Sequence, residues 1–373
     1  MLSWAAALSV MLALTITGTA IVVLDPISRR IGLLDHPRGR KDHGVSVPVT
    51  GGIAIALGVL IASLFLFDPR RELIALGIAS LIVLGMGAWD DVKDLPWWTR
   101  IVAQIGAALV LVYVGHVRVE QLGPVFGFAF GSFSLGAFSV PFTVLATVGL
   151  INAMNMADGI DGLAGTLSLC ALAMLGAASI YAGNYVLAEF LMIVAGSLAG
   201  FLLFNMRLPW QPRGRVFLGD AGSGFLGLVI VWTTFRLTQN VVHPVSPVLA
   251  PFLIAPPVID CLVLITRRLM HGRSPFEADR SHLHHLMLDA GVSVTGVVVS
   301  LAAFSLALGL AAALLMRAHF PHLLLLGIYG GLTLGYFALT ANRDRAVQAF
   351  RSLRPDARAQ AKTVAKSPLE MVD

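Results

Sequence analysis

The chain has 373 residues, 57% of them hydrophobic and 13% charged, about half the charge of an ordinary soluble domain. Repeated apolar runs near the roughly 20 residues that cross a bilayer exclude a soluble globular enzyme. The net charge of +5 invites a nucleic-acid reading, but the cations are placed as topology signals, so no nucleic-acid partner is expected.

The N-terminal run "MLSWAAALSVMLALTITGTAIVVL" lacks a basic leader and a clear cleavage site. It therefore reads as a first span, not a removed signal. Eleven spans are predicted in an all-α, polytopic membrane protein, at about 4–24, 49–67, 72–89, 100–115, 138–154, 164–181, 185–205, 220–236, 248–267, 293–316 and 322–340. Ten is the alternative count, because the fourth is short enough to lie tilted or partly re-entrant. After it, "HVRVEQLGPVFGFAFGSFSLGA" alternates with period two between glycines and reads as a short hairpin outside the membrane. Cys170 and Cys261 sit inside apolar runs and imply neither a disulfide framework nor a cysteine metal site. The membrane domain is expected to cover 1–341, with a basic tail over 342–373. That tail suits an anionic lipid surface or a solvated, disordered segment.

All but Arg70, Arg71, Arg118, Arg236 and Arg317 of the 26 Lys and Arg residues follow odd-numbered spans. The excess of cations makes that side cytoplasmic, with the N-terminus outside and the C-terminus inside. The polar motifs sort the same way. In chain order they are "DHPRGRKDHGVSVPVTGG", "GAWDDVKDLPWW", "NAMNMADGIDGLAG", "RGRVFLGDAGSGFLG" and "RSPFEADRSHLHHLMLDAG". A transporter or channel would place acids on both membrane halves. Polar groups gathered at the inner ends suit an enzyme that joins a cytosolic substrate to a membrane-embedded one.

Asp90, Asp91, Asp94, Asp158, Asp161 and Asp220 lie at the inner ends of three spans. Six converging carboxylates would repel one another, and a divalent cation removes that repulsion. Oxygen-only ligands suit Mg²⁺, with Mn²⁺ as its substitute. Because Mg²⁺ keeps waters and shares substrate phosphates, one Asp and one Asn amide oxygen are an adequate protein share. Gly219, Gly222 and Gly224 let a ligand approach the backbone around Asp220, and a helix starting there offers N–H groups to phosphate. The plain alternative is Asp220 as an N-cap. In the central motif, Asn152, Asn155, Asp158 and Asp161 are three apart and drift by about 60° per step on a helix, which suits different tasks. Asn152 lies deepest and reads as structural. His282, His284 and His285 lack a partner at zinc-ligand spacing. With Arg280 they read as anion ligands, the alternative being a solvated amphipathic loop. Asp260, within "APPVIDCLVLITRR", has Arg267 or a neighbouring helix as candidate partner.

Taken together, from Asp35 to Gly291, these five motifs resemble those of the polyprenyl-phosphate N-acetylhexosamine-1-phosphate transferases, most of all the bacterial undecaprenyl-phosphate N-acetylglucosamine-1-phosphate transferases. The resemblance implies that a UDP-N-acetylhexosamine binds from the cytosol with Mg²⁺. A polyprenyl phosphate in the bilayer of the bacterial inner membrane attacks the sugar-linked phosphorus. UMP leaves, and a sugar-pyrophosphoryl lipid stays for O-antigen, enterobacterial common antigen or teichoic-acid linkage synthesis. It further implies Asp220 as the principal metal ligand and Asn155 as the second, with Asp90 as base or positioning group for the lipid phosphate and Asp91 beside it. Asp161, Phe217 and Asn205 fall where relatives hold uridine, and Asp158 falls at the nucleotide or metal edge. Arg280, His282, His284 and His285 belong to the loop folded over sugar and pyrophosphate. Two departures separate the chain from the sister branch that makes peptidoglycan lipid I. The run Asp90-Asp91-Val92-Lys93-Asp94 lacks that branch's Lys spacing, and the segment between Asn205 and Phe217 is longer. A homodimer is compatible with this reading.

Overall fold

The computed structural model describes residues 4–35, 46–68, 70–239, 245–277 and 280–352. Arg38, Arg40 and Lys41 of the first loop, and the tail beyond 352, lie outside the described residues. The elements in chain order are α1 (Trp4–Ile31), β1 (Leu34–Asp35), β2 (Val47–Pro48), α2 (Gly51–Leu64), α3 (Arg71–Lys93), α4 (Trp97–Tyr113) and α5 (Ser139–Ala157). They continue with α6 (Leu163–Tyr181), α7 (Tyr185–Asn205), α8 (Gly219–Thr238), α9 (Ala250–Leu253), α10 (Ala255–Met270), α11 (Leu283–Asp289), α12 (Val294–Arg317), α13 (His322–Leu339) and α14 (Arg343–Ser352). With no water in a bilayer core, each segment must satisfy its backbone internally, and a helix does so locally. The strands are a two-residue antiparallel pair, Leu34 opposite Pro48 and Asp35 opposite Val47.

All eleven apolar segments read from the sequence are helical, but they are not all alike. Among the described residues, eight helices are long and apolar enough to cross a membrane, or nine if the bent pair counts as one span. The chain is a multi-pass membrane protein. Helix α2 has 14 residues and α4 has 17. At about 1.5 Å per residue they reach only about 21 and 26 Å, short of the roughly 30 Å hydrocarbon core. The ninth expected span is bent by 85° between Pro247–Leu253 and Ala255–Met270. Pro256 and Pro257 have no N–H to return to the preceding turn, so the helix breaks at Ile254.

Helix α8 is the hub. It packs on α2, α3, α5 and α6, and 94% of its apolar window is buried, against 17% for α13 at the edge. Small residues allow its close crossings. A Cβ on Gly87 would lie 2.4 Å from the Ala221 backbone, and one on Gly52 would lie 2.2 Å from Gly222 Cα. Away from the polar end, the expected hairpin is a loop closed by one bridge, Gln121 to Ser134, and interrupted by the 3₁₀ turn Phe128–Phe130. Its period-two signal is real on one side, since Val117 and Val119 are buried. The first part of the expected tail is helix α14. It docks on α11, with Ala346 buried and Arg343 paired to Asp289.

Candidate active site

Four elements meet at one end of the bundle: the end of α3, the start of α4, the end of α5 and the start of α8. Asp90 and Asp91 sit in the last turn of α3, and their side chains diverge. One Asp90 oxygen accepts from the Leu95 amide at 2.7 Å, and the other from Arg100 Nη1 at 3.0 Å. The same Nη1 donates to Asp220 at 2.6 Å, so one guanidinium on α4 holds two carboxylates together. The second Asp220 oxygen accepts from Asn155 Nδ2 at 2.5 Å, and that nitrogen also lies 3.2 Å from Ser223 Oγ. Asp91 turns the other way and accepts from the Asp220 and Ala221 amides at 3.0 and 3.4 Å. A carboxylate from α3 thus caps the N-terminus of α8, where free N–H groups favour negative charge. Gly219 permits it: its φ is +75°, and a Cβ there would lie 2.6 Å from Asp91 Oδ2. Beside this cluster a narrow cavity of ≈ 20 Å³ is lined by Arg100, Gln104, Asn152, Asn155 and Asp220 against Val83, Met86 and Ile151. Asn152 donates to Gln104 at 2.6 Å and to the Val148 carbonyl at 2.8 Å.

Two other groups of expected site residues stand apart. Asp161 accepts from Arg207 Nε at 2.7 Å and from the Gly214 amide at 3.2 Å. The amide of the buried Asn205 is spent on backbone, accepting from Gly162 N at 2.8 Å and donating to Val216 O at 2.8 Å. It braces the α5–α6 turn against the segment before α8. Phe217 is half-buried, and its backbone pairs with Pro48 and Gly51 at 2.8 and 3.0 Å. Asp158 ends α5. The expected convergence of six carboxylates is therefore corrected. Asp90, Asp91 and Asp220 come together, Asp161 has its own cation, and Asp94 ends α3 in the left-handed region. Among the described residues no three His, Cys, Asp or Glu side chains form a metal cage. The physical reason is helix geometry: α5 stops at Ala157, so the motif's later acids lie in a turn and leave Asn155's face.

The three histidines form a third group. His282 and His284 are buried, their rings 5.5 Å apart and nearly parallel, and His285 lies 4.3 Å from His284. His284 packs on Gly159, where a Cβ would meet its Nε2 at 2.2 Å. This brings the His helix α11 down onto the α5–α6 turn beside Asp158. Burial, with the neighbouring imidazoles, pushes His284 well below the usual imidazole range and lowers His285 as well. The preceding loop is pinned at the α4 end by Phe276 stacking on Trp97, centroids 4.4 Å apart. Arg280 is exposed, with Asp289 at 4.0 Å. Asp260 does not pair with Arg267, which donates to Phe337 O and Thr340 Oγ1 at 3.1 and 2.9 Å. It faces the His motif instead.

Sequence reasoning counted Arg100 only as a topology charge and gave Ser223 no role. The signal for Arg100 was present: an arginine one turn inside an apolar helix is expensive there and marks a site by default.

Residues 73–238 match the glycosyl transferase family 4 model. That segment runs from α3 to the end of α8 and contains Asp90, Arg100, Asn155 and Asp220. The chain is 34% identical over 285 residues to the undecaprenyl-phosphate alpha-N-acetylglucosaminyl 1-phosphate transferase of Escherichia coli (strain K12), covering 75% of this chain and 76% of that one. The protein of the same description from Yersinia pestis is 35% identical over 292 residues, 77% and 79% of the two chains. The one from Haemophilus influenzae is 35% identical over 273 residues, 73% and 76%.

Proposed function

The chain belongs to glycosyl transferase family 4, together with the undecaprenyl-phosphate alpha-N-acetylglucosaminyl 1-phosphate transferases, and on that premise we propose that it makes a sugar-pyrophosphoryl lipid at the cytoplasmic face of a bacterial inner membrane. N-acetylglucosamine-1-phosphate, or a related N-acetylhexosamine-1-phosphate, passes from its UDP-sugar to undecaprenyl phosphate. An oxygen of the lipid phosphate attacks the sugar-linked phosphorus, the bond from that phosphorus to the UMP oxygen breaks, and UMP departs. The product suits the first membrane step of a cell-surface polysaccharide.

The observation that carries this reading is the Asp90–Arg100–Asp220–Asn155 cluster at one end of the bundle, built by four helices. A phosphate monoester already carries about −1.5 to −2 charges at neutral pH, so it needs little deprotonation. What it needs is placement in line with its target and compensation of its charge. Arg100 offers a guanidinium fork suited to phosphate oxygens, and Asp90 holds that fork by one nitrogen. Asp91 fixes the first amides of α8 and with them the backbone of Asp220. The oxygen donors of Asp220 and Asn155 fit Mg²⁺, which takes one or two protein ligands and shares substrate phosphates. A half-turn of the Asn155 amide would present its oxygen where its nitrogen now meets Asp220. Bound there, Mg²⁺ (or Mn²⁺ in its stead) would supply charge neutralisation across the diphosphate. The His helix over Gly159 suits the sugar and diphosphate side, and Asp161 with Phe217 the nucleoside side.

The test is turnover by the purified full-length chain with undecaprenyl phosphate, Mg²⁺ and a panel of UDP-sugars. The expected result is UMP release and a lipid-linked product with UDP-N-acetylglucosamine. No lipid product and no UMP with any UDP-sugar would overturn the proposal.

A further inference from the structure

Asp260 is a buried acid in α10, 6% exposed, in a helix otherwise apolar around it. An acid so placed is costly and needs its donors. It has three. One carboxylate oxygen accepts from the Tyr336 hydroxyl of α13 at 2.6 Å and from the Leu283 amide at 3.0 Å. The other faces His282 Nδ1 at 2.9 Å. The Leu283 amide is the first of α11, so Asp260 both caps that helix and grips the histidine just before it. A carboxylate facing Nδ1 keeps a proton on that nitrogen and leaves Nε2 as the imidazole's working atom. The same helix carries His284 onto Gly159, beside the central motif, and among the described residues its buried Nε2 has no hydrogen-bond partner.

We propose that Asp260, locked by Tyr336, is a positioning residue of the transferase. It fixes the ring of His282 and the start of α11 so that the His cluster meets the sugar-diphosphate of the donor. The inference rests on the transferase reading above. It goes beyond that reading by assigning Asp260 and Tyr336, on two helices outside the His motif, to donor recognition rather than to helix packing.

The experiment measures kcat, the KM for UDP-N-acetylglucosamine, the KM for undecaprenyl phosphate and the melting temperature. It uses the full chain and the variants Asp260→Asn, Tyr336→Phe, His282→Gln and the Asp260→Asn/His282→Gln double. Loss of such an orienting partner costs about 10- to 100-fold, so Asp260→Asn is expected to raise the donor KM by that factor. The acceptor KM stays within about 2-fold, and the double variant is no worse than His282→Gln alone, because residues acting as a unit are not additive. Tyr336→Phe keeps the carboxylate and removes one hydrogen bond, so it raises the donor KM by about 3- to 10-fold. It carries the test if Asp260→Asn does not fold. Equal changes in both KM values, or multiplying effects of Asp260→Asn and His282→Gln, would overturn the role of Asp260 while wild-type turnover stands. Absence of wild-type turnover would instead remove the transferase reading and this inference with it.

Discussion

On α3 successive side chains are rotated by about 100°, so Asp90 turns to the Leu95 amide and Arg100 while Asp91 turns to the first amides of α8. The sequence shows a pair of acids; only the fold shows that one meets Arg100 and the other holds the helix that carries Asp220. In the proposed reaction Asp90 contributes placement, not basicity. Asp90→Asn is expected to lower kcat by at least about 10²-fold, the size of effect seen when one charge-stabilising group is removed, and to stay impaired at pH 9. Recovery of the full rate at high pH, with metal affinity unchanged, would show that Asp90 acts as a base. The grouping of Asp90, Asn155 and Asp220 was legible from their positions at span ends. Arg100 was marked by its place in an apolar helix, but its pairing was not legible, because its partners lie 10 and 120 residues away. Nor was the use of Asn205, whose two backbone partners depend on how the α5–α6 turn meets the segment before α8.

At the scale of elements, hydropathy located every long helix because apolar length is the property that membranes select. It could not separate full spans from the 14-residue α2, since flanking apolar residues such as Phe65 and Leu66 extend the run past the helix end. The break in the ninth span was written in Pro256 and Pro257, but an apolar average hides two missing amides. The site's rigidity comes from the glycine-lined crossings at α8. Gly87 faces the Ala221 backbone, so Gly87→Ala forces α3 away from the start of α8. Overpacking of this kind costs about 1–3 kcal/mol and also moves Asp220 from Arg100. The expected outcome is a lower melting temperature together with lost activity. Gly85, on the same helix with nothing within 4 Å of its would-be Cβ, is the control, and Gly85→Ala should melt no lower than the parent. If both substitutions behave alike, the close crossing is not what holds the site.

For the molecule as a whole, a hub helix buried on nearly every side is ringed by helices whose outer faces are apolar, as Leu8, Leu81, Leu145 and Leu334 show. The acids, amides and imidazoles of the candidate site come from distant parts of the chain and lie at one end in separate groups. In the proposed orientation that end faces the cytoplasm, an expectation that rests on the uneven placement of the cations along the chain, since basic loops resist translocation. The proposed reaction transfers a phosphosugar, not a bare sugar. The most direct measurement follows the β-phosphorus of UDP-N-acetylglucosamine, radiolabelled at that position, during turnover with undecaprenyl phosphate. Label extracted with the lipid, and unlabelled UMP in the aqueous phase, is the expected result. Label left in water as UDP, with only the sugar on the lipid, would contradict it.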